Sequence, residues 1–337
     1  MNKASNIAIV GATGLVGKTF LELLESDHFL DSKIHLVASS KSKGQEVFFR
    51  NSVHVVNSLE EFNFSEVDVV FFSAGDKVAK KYAPKAQKEG CFVVDNSSCF
   101  RQDESIPLIV PEVNSEDFTE TSIPGIVANP NCSTIQMVVA LYPLHKAATI
   151  NRVVVSTYQS TSGAGAKGMS ELLKQTSAWV NNEPMEVSVF PAQIAFNLFP
   201  HVDVFLKNGY TREEMKMVNE TRKIMDAPEM GISATCVRVP VLRAHSEAIW
   251  IETERKLTPQ EAREILEKAP GIVVKDEPVA GGYPMPWDVD ETVEIYVGRI
   301  REDFSHPRGL AFWVVADQLY KGAALNSIQI AEVLAAG

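Results

Sequence analysis

The first half of the chain alternates short apolar runs with longer segments in which apolar residues recur every three or four positions. The runs predict buried strands at residues 7–10, 34–38, 67–72, 92–95 and 126–128. The periodic segments predict helices, one of which covers residues 77–88. Because strands alternate with helices, we expect a doubly wound α/β domain that binds ligands at the carboxyl ends of parallel strands.

The second half follows a different pattern, in which strands and helices no longer alternate regularly. Strands are expected at residues 152–159, 293–297 and 310–315, and a helix is expected at residues 259–268. This pattern predicts a second, α+β domain, and a helical stretch from Asp317 to Leu334 is expected to pack back on the first domain. The predicted divisions are therefore residues 1–129, 130–317 and 318–337.

A glycine-rich turn directly follows the first predicted strand. It reads Gly11-Ala12-Thr13-Gly14-Leu15-Val16-Gly17, and a helical apolar pattern comes next. Glycines at such a turn let the backbone N–H groups approach a phosphate. Strand, glycine turn and helix in this order are typical of a Rossmann-like dinucleotide-binding domain, although the spacing differs from the commoner G-x-G-x-x-G. A purely structural turn is the alternative.

The loop after the second strand indicates which dinucleotide is preferred. Sites for NAD usually place an acidic residue there, to bind the ribose 2′-hydroxyl. This chain instead has Ser39, Ser40, Lys41 and Lys43, and none of the residues from 39 to 44 is acidic. Hydroxyl groups and cations suit a 2′-phosphate, so we predict NADP over NAD, with a solvated basic turn as the alternative.

The run Asn129-Pro130-Asn131-Cys132-Ser133-Thr134 delivers a cysteine to the start of an apolar helical pattern. We expect Ser133 and Thr134 to cap that helix. A thiol at a helix N-terminus is held near partial positive charge, which lowers its pKa and favours the thiolate. The alternative is a buried structural cysteine.

Composition narrows the class of protein. The 337 residues include 32 Lys and Arg against 43 Asp and Glu, a formal net charge of −11, which argues against general nucleic-acid binding. No apolar run approaches the length of a membrane helix. The four cysteines have neither metal-site nor disulfide spacing, which favours a reducing, cytoplasmic compartment. Any anionic ligand would need local cations such as Arg101.

Polar residues in the second half supply further candidates. Gln159 ends a predicted strand and precedes a small-residue loop, Ser160 to Gly165. Glu213 and Lys216 share a face of a helix that a capping box opens, and a surface ion pair is their alternative role. Arg238 and His245 are seven residues apart, and a break at Pro240 could bring both to one site.

A dinucleotide fold and an activated cysteine together favour oxidation of an aldehyde through a thioester. The glycine turn, Asn129 to Cys132, Tyr158 to Gly165, Glu213 to Lys216 and Arg238 to Ser246 follow one another in the order of a known family. On these motifs the chain resembles the aspartate-β-semialdehyde dehydrogenases over essentially its whole length. The resemblance implies NADP-dependent, phosphate-requiring conversion of L-aspartate 4-semialdehyde to L-4-aspartyl phosphate.

The resemblance also implies a role for each matching residue. Cys132 would carry the acyl-thioester, His245 would be the general acid/base, and Gln159 would orient the substrate. Arg238 would bind the substrate α-carboxylate and Glu213 its α-ammonium group. Phosphate would contact Arg101, Lys216 and Asn131. The implied cofactor contacts are Gly11, Thr13, Gly14, Leu15, Val16, Ser39, Ser40, Ala74, Ser162, Gly163 and Gln318, with either Lys41 or Lys43 at the 2′-phosphate.

The resemblance further implies a homodimer, or a tetramer, built on residues 130–317, and a place in the biosynthesis of lysine and diaminopimelate, threonine, methionine and isoleucine. Two alternatives remain open. One is N-acetyl-γ-glutamyl-phosphate reductase, whose acetylated substrate carries no positive charge and would not need Glu213. The other is a catalytically silent NADP-binding subunit, which the presence of Cys132 and His245 disfavours.

Overall fold

A computed structural model describes residues 6–25, 29, 31–117 and 125–336. The chain divides into two units. Unit 1 contains residues 1–131 and 322–337, and unit 2 contains residues 132–321. Parts of the predicted first domain, residues 1–5 and 118–124, lie outside the described residues.

Unit 1 begins with the predicted alternation of strands and helices. Its strands are β1 (Asn6–Val10), β2 (Lys33–Ala38), β3 (Glu46–Phe49), β4 (Ser52–Val55), β5 (Asn57–Ser58), β6 (Val69–Phe72), β7 (Phe92–Asp95) and β8 (Ile126–Ala128). Its first helices are α1 (Leu15–Leu24), α2 (Asp76–Lys88) and α3 (Pro111–Asn114). The strands expected in this half are therefore present, with ends that move by at most two residues.

The sheet of unit 1 is parallel and has the strand order β5-β2-β1-β6-β7-β8. Apolar residues of β1, from Ile7 to Val10, are completely buried, as a strand covered on both faces requires. The chain winds outward in opposite directions from β1, so a switch point lies between the carboxyl ends of β1 and β6. The doubly wound fold is confirmed, whereas the exposed hairpin of β3 and β4 was not predicted.

Unit 2 contains the remaining elements. Its helices are α4 (Cys132–Ala148), α5 (Gly165–Val180), α6 (Arg212–Ile224), α7 (Pro259–Leu266) and α8 (Pro286–Val289). Its strands are β9 (Ile150–Gln159), β10 (Gly231–Arg238), β11 (His245–Thr253), β12 (Ile272–Val274), β13 (Ile295–Asp303) and β14 (Gly309–Ala316). Helix α5 was missed, because its buried residues include polar Glu171 and Gln175 and give no apolar stripe.

The sheet of unit 2 is mixed, with the strand order β10-β9-β11-β14-β13-β12. Strand β10 runs parallel to β9, and β11 runs antiparallel to β9. The end of β10 and the beginning of β11 therefore lie at the same edge as the end of β9. Helix α4 packs against this sheet, and all of its residues from Ser133 to Leu141 are buried.

The last helix, α9 (Leu325–Ala336), belongs to unit 1, as expected for a C-terminal helix that returns to the first domain, but it begins well after the predicted start at Asp317. The Asn326 side chain donates to the Asn129 amide oxygen at 2.7 Å and to the Ile109 carbonyl at 3.0 Å. The Ser327 hydroxyl donates to the Asn96 side chain at 3.0 Å. These bonds attach α9 to the loops that follow β7 and β8.

Candidate active site

The glycine turn of unit 1 has the geometry of a phosphate-binding turn. Gly11 has a φ of 93°, and a Cβ atom there would lie 2.3 Å from the Ser73 carbonyl oxygen. A Cβ on Gly17 would lie equally close to the Gly11 carbonyl oxygen. Only glycine fits at these two positions, and Gly14 immediately precedes α1. Backbone N–H groups at the start of α1 therefore face the turn, as anion binding requires.

Other predicted residues of unit 1 follow neighbouring strands at the same edge of the sheet. Ser39 and Ser40 come after β2, Ala74 after β6, Arg101 after β7 and Asn131 after β8. Arg101 is buried and donates to the Asn96 carbonyl at 2.8 Å, so it is not the surface arginine that was its alternative role. The parallel sheet thus gathers all these candidates at the carboxyl ends of its strands.

The two lysines near the predicted 2′-phosphate site differ in their surroundings. The Lys43 ammonium lies 2.5 Å from the Glu61 carboxylate, so its charge is already paired. No ion pair engages Lys41 among the residues that the structure describes, and its side chain is exposed. The sequence left this choice open, and the ion pair of Lys43 favours Lys41.

Cys132 is the first residue of α4 and is partly exposed. The prediction that Ser133 and Thr134 cap this helix was wrong, because both lie within its first turn and are buried. The other cysteines are poor nucleophiles for a physical reason. Burial raises the pKa of the Cys91 thiol to about 12, and it also raises the pKa of Cys236 well above the ordinary value.

Gln159, Arg238 and His245 lie on the buried face of the unit 2 sheet, at one edge. Gln159 ends β9 directly opposite Arg238, which ends β10, and His245 begins β11. The predicted break around Pro240 therefore exists and brings Arg238 and His245 to one site. The Gln159 amide donates to the Ser133 hydroxyl at 3.0 Å, which joins this row of side chains to the first turn of α4.

The His245 ring is held on one side by Ser160. The backbone N–H of Ser160 donates to Nδ1 at 3.1 Å, and the Ser160 hydroxyl lies 3.0 Å from the same nitrogen. A backbone N–H can only donate, so Nδ1 accepts and Nε2 carries the proton of the neutral ring. A Cβ atom on Gly163 would lie 3.3 Å from Nε2, so this glycine leaves room beside the ring.

His245 does not keep an ordinary pKa. Complete burial lowers the pKa of the ring to about 3, and the positive charge of Arg238 acts in the same direction. Glu213 and a contact to the Ala244 carbonyl oppose the shift only in part. The pKa of His245 therefore lies far below the 6.5 of an ordinary histidine, and the ring is neutral at physiological pH.

Arg238 is a buried cation, and Glu213 balances its charge. Burial lowers the pKa of the Arg238 guanidinium, whereas the negative charges of Glu213 and the Cys132 thiolate raise it. Arg238 also donates to the Ser160 carbonyl oxygen, which leaves part of its planar donor set for a ligand. A guanidinium in such a place suits a carboxylate ligand.

Glu213 and Lys216 form the predicted pair on α6, which begins at the predicted capping box of Thr211 and Glu214. Their charged atoms lie 2.9 Å apart, and Asp203 lies 3.0 Å from the same ammonium. Burial lowers the pKa of Lys216, but its two carboxylate partners outweigh burial and the net pKa is raised. Both side chains of the pair are largely buried, so they do not form a surface ion pair.

Three predicted cofactor residues of unit 2 lie beside the His245 ring. The Gln318 amide donates to the Ser162 hydroxyl, which lies 3.0 Å from the Ser160 hydroxyl. Gly163 follows Ser162 and approaches both Arg238 and His245. Sequence reasoning missed Ser160 and Ser133 as partners of predicted residues, although both stand within the motifs that it singled out.

Within the described residues, no cluster of histidine, cysteine and acidic side chains has the arrangement of a metal site. None of the described helices combines the length and hydrophobicity that crossing a bilayer requires.

Comparisons with known proteins identify the family of this chain. Residues 6–121 match the family model for the semialdehyde dehydrogenase NAD binding domain, and residues 141–321 match that for the semialdehyde dehydrogenase dimerisation domain. An aspartate-semialdehyde dehydrogenase of Aquifex aeolicus is 52% identical over 330 residues, which cover 97% of each chain.

Solved structures extend the likeness to the fold. Aspartate semialdehyde dehydrogenase II of Vibrio cholerae, complexed with ASA, is 46% identical, with a TM-score of 0.95 over 98% of this chain and 97% of that chain. The Candida albicans aspartate semialdehyde dehydrogenase with NADP is 27% identical, with a TM-score of 0.77 over 98% of both chains. This chain belongs to the aspartate-semialdehyde dehydrogenase family.

Proposed function

We propose that the chain catalyses the reversible, NADP-dependent and phosphate-requiring conversion of L-aspartate 4-semialdehyde to L-4-aspartyl phosphate. The main support for the proposal is the placement of three side chains at one edge of the unit 2 sheet. Gln159, Arg238 and His245 lie together on its buried face, beside the first turn of α4. Family membership and the ASA complex of the Vibrio cholerae relative support the same substrate.

Cys132 is the proposed nucleophile. Its thiolate sulfur adds to the aldehyde carbon, a C–S bond forms, and the aldehyde oxygen becomes an oxyanion. The Nε2–H of His245 donates a hydrogen bond to that oxygen, because Ser160 holds Nδ1 as an acceptor. NADP, when bound, supplies the hydride acceptor that turns this adduct into the thioester. A phosphate oxygen then displaces the Cys132 thiolate, and the acyl phosphate leaves. The general acid/base role of His245 stays a prediction.

Substrate recognition follows from the buried charges. Arg238 would bind the α-carboxylate with its planar donor pair, and Glu213 would bind the α-ammonium. Gln159 lies 3.3 Å from the Glu213 carboxylate and would orient the reacting group. Arg101, Lys216 and Asn131 remain the proposed phosphate contacts.

The turn from Gly11 to Gly17 fits a dinucleotide, since side chains are excluded from its close approaches. We propose that Gly11, Thr13, Gly14, Leu15 and Val16 bind the diphosphate. Ser39 and Ser40, together with Lys41, would bind the ribose 2′-phosphate. The remaining proposed contacts to NADP are Ala74, Ser162, Gly163 and Gln318.

The assembly and setting are proposals as well. We propose a homodimer built on residues 130–317, since the second half of the chain matches a dimerisation domain. Residues 1–129 would bind NADP, and residues 318–337 would complete that domain. We further propose a cytoplasmic enzyme of lysine, threonine, methionine and isoleucine biosynthesis, which binds neither nucleic acid nor membrane.

The rival reaction uses an N-acetylated glutamyl substrate. Its acetamide is neutral, so it has no use for a buried carboxylate at the position of Glu213. The observed burial of the Glu213 carboxylate supports recognition of a charged amine. The silent-subunit alternative predicts instead a Cys132 thiol no more reactive than those of Cys91 or Cys99.

The decisive experiment measures NADPH formation at 340 nm from L-aspartate 4-semialdehyde, with and without phosphate. We expect phosphate-dependent activity, and we expect Cys132→Ala to abolish it while NADP still binds. Cys236→Ala is the matched control and should remain active, because burial makes its thiol inert. Activity only with the N-acetylated glutamyl aldehyde would refute the proposed substrate.

A further inference from the structure

Glu247 is a buried carboxyl group that the proposed mechanism does not use. Its side chain is completely buried, and neither carboxyl oxygen has a hydrogen bond of normal geometry in the part of the chain that is described. Burial raises its pKa well above the ordinary value, which a facing amide, Gln136, opposes only in part. Complete burial therefore favours the neutral carboxylic acid form of Glu247, which has an O–H to donate.

The strand register places Glu247 next to the catalytic row. His245 and Glu247 are two residues apart on β11, so their side chains lie on the same face of the sheet. Glu247 stands opposite Thr157, and Thr157 stands opposite Cys236. The residues Cys236, Thr157 and Glu247 thus form a second row, directly beneath the row of Arg238, Gln159 and His245.

Gln136 connects this second row with the helix of the nucleophile. It is buried on α4, four residues after Cys132 and therefore one helical turn further along. Its amide nitrogen donates to the backbone carbonyl of His245 at 3.4 Å. Its amide oxygen has no partner within the described residues, although it is fully shielded from solvent. A donor is required there, and the facing carboxylic acid of Glu247 can supply one.

We propose that Glu247 donates its carboxyl O–H to the Gln136 amide oxygen and so positions His245 for the reaction. The chain of bonds runs from Glu247 to Gln136 and on to the His245 carbonyl. It fixes the beginning of β11 against α4, one turn from Cys132. The inference rests on the proposed function, because it assigns Glu247 and Gln136 as positioning residues of that reaction.

If Glu247 had a purely structural role, an apolar side chain would be preferred at this position. A buried carboxyl group is costlier than an apolar side chain of similar volume, so leucine at residue 247 would serve packing better. Positioning instead requires a donor, which glutamine retains and leucine lacks. Activity and stability should therefore separate in the two variants.

The test compares Glu247→Gln and Glu247→Leu in the full-length enzyme. We expect Glu247→Leu to unfold at an equal or higher temperature and yet lose about ten- to a hundredfold in kcat, the scale of a displaced catalytic group. KM for the semialdehyde should change by about twofold or less, because Arg238 is not moved. Glu247→Gln should keep kcat near the wild-type value. Ile249→Val, on the same strand face but further from His245, is the matched control and should keep full kcat.

Coupling to Gln136 provides the second arm. We expect Gln136→Leu to lower kcat as Glu247→Leu does, and the double variant to lose no more than either single variant. Hydrogen–deuterium exchange should show faster exchange around His245 in both leucine variants and not in Glu247→Gln. Additive losses, an active Glu247→Leu enzyme, or an inactive Glu247→Gln enzyme would each overturn the proposal. An inactive wild type would overturn the proposed function alone, because the exchange comparison still decides the anchoring.

Discussion

The neutral state of His245 makes a quantitative prediction for stability against pH. In the folded chain the pKa of this ring is about 3, whereas in the unfolded chain it returns to 6.5. The unfolded chain therefore takes up a proton at His245 as the pH falls below 6.5, and the folded chain does not until about pH 3. Because the unfolded state binds more protons in this window, stability falls as the pH falls.

The size of the stability loss depends on how far the pH lies below the pKa of His245 in the unfolded chain. A pH of 5 lies 1.5 units below the pKa of the histidine in the unfolded chain. At about 1.4 kcal/mol per unit, the free energy of unfolding is therefore lower by about 2 kcal/mol. At pH 7 the penalty is nearly absent. His245→Gln keeps a polar side chain of similar size but cannot titrate, so it should escape this loss.

Equilibrium urea unfolding of wild type and His245→Gln at pH 7 and pH 5 tests the prediction, at one fixed protein concentration. All four tryptophans, Trp179, Trp250, Trp287 and Trp313, lie in unit 2, so their fluorescence reports on the unit that contains His245. We expect wild type to lose about 2 kcal/mol more than the variant between the two pH values.

Other titrating groups do not disturb this comparison. Glu247 acts with the opposite sign, because the unfolded chain releases its proton above pH 4.5 while the folded chain retains it. Since Glu247 is present in both proteins, its contribution cancels in the difference between them. If both proteins lost the same stability between pH 7 and pH 5, the ring would not be held neutral and the argument from burial would be wrong.

Three further changes test the site by steady-state kinetics. Lys41→Ala should raise KM for NADP about tenfold, whereas Lys43→Ala should change it little because Glu61 already pairs with Lys43; equal effects would contradict this assignment. Arg238→Lys should raise KM for the semialdehyde by about tenfold or more, since lysine cannot make a bidentate contact, and an unchanged KM would exclude the proposed carboxylate contact. Gly163→Ala should lower kcat, because its Cβ would lie 2.9 Å from Arg238 Nη1, and full activity would show that the site accommodates a methyl group there.

The sequence predicted the parts of the fold that depend on local pattern. Buried strands with continuous apolar runs, such as β1 and β7, were found nearly to the residue, and so was the capping box that opens α6. Helix α5 was missed because it buries Glu171 and Gln175, whose hydrogen bonds to the segment from 186 to 195 cannot be read from hydrophobicity. The sequence of α5 therefore reflects its tertiary hydrogen-bond partners rather than an apolar stripe of its own.

Candidate site residues could be chosen from the sequence, but their electrostatics could not be predicted from it. Motifs and spacing pointed to Cys132, Arg238 and His245, and the break at Pro240 suggested that the last two meet. Burial is a property of the folded chain, so no local pattern indicates that the pKa of His245 falls to about 3. Glu247 was overlooked for the same cause, since nothing local distinguishes it from a surface glutamate on an amphipathic strand.

Burial disfavours the charged form of ionisable side chains in both rows on the unit 2 sheet. The neighbouring groups decide whether a side chain in each row is charged. Burial lowers the pKa of the Arg238 guanidinium, and the negative charges of Glu213 and the Cys132 thiolate offset part of that shift, so Arg238 keeps its charge. At Glu247, burial and the Gln136 amide are the influences among the described residues, and the net effect raises its pKa and favours the protonated form. In the proposed roles, one row presents a charge to the substrate, whereas the row beneath it presents a neutral donor to the protein. A charged Glu247 could not hold Gln136 through its amide oxygen, and for that reason an apolar environment two residues from His245 serves the site better than a salt bridge would.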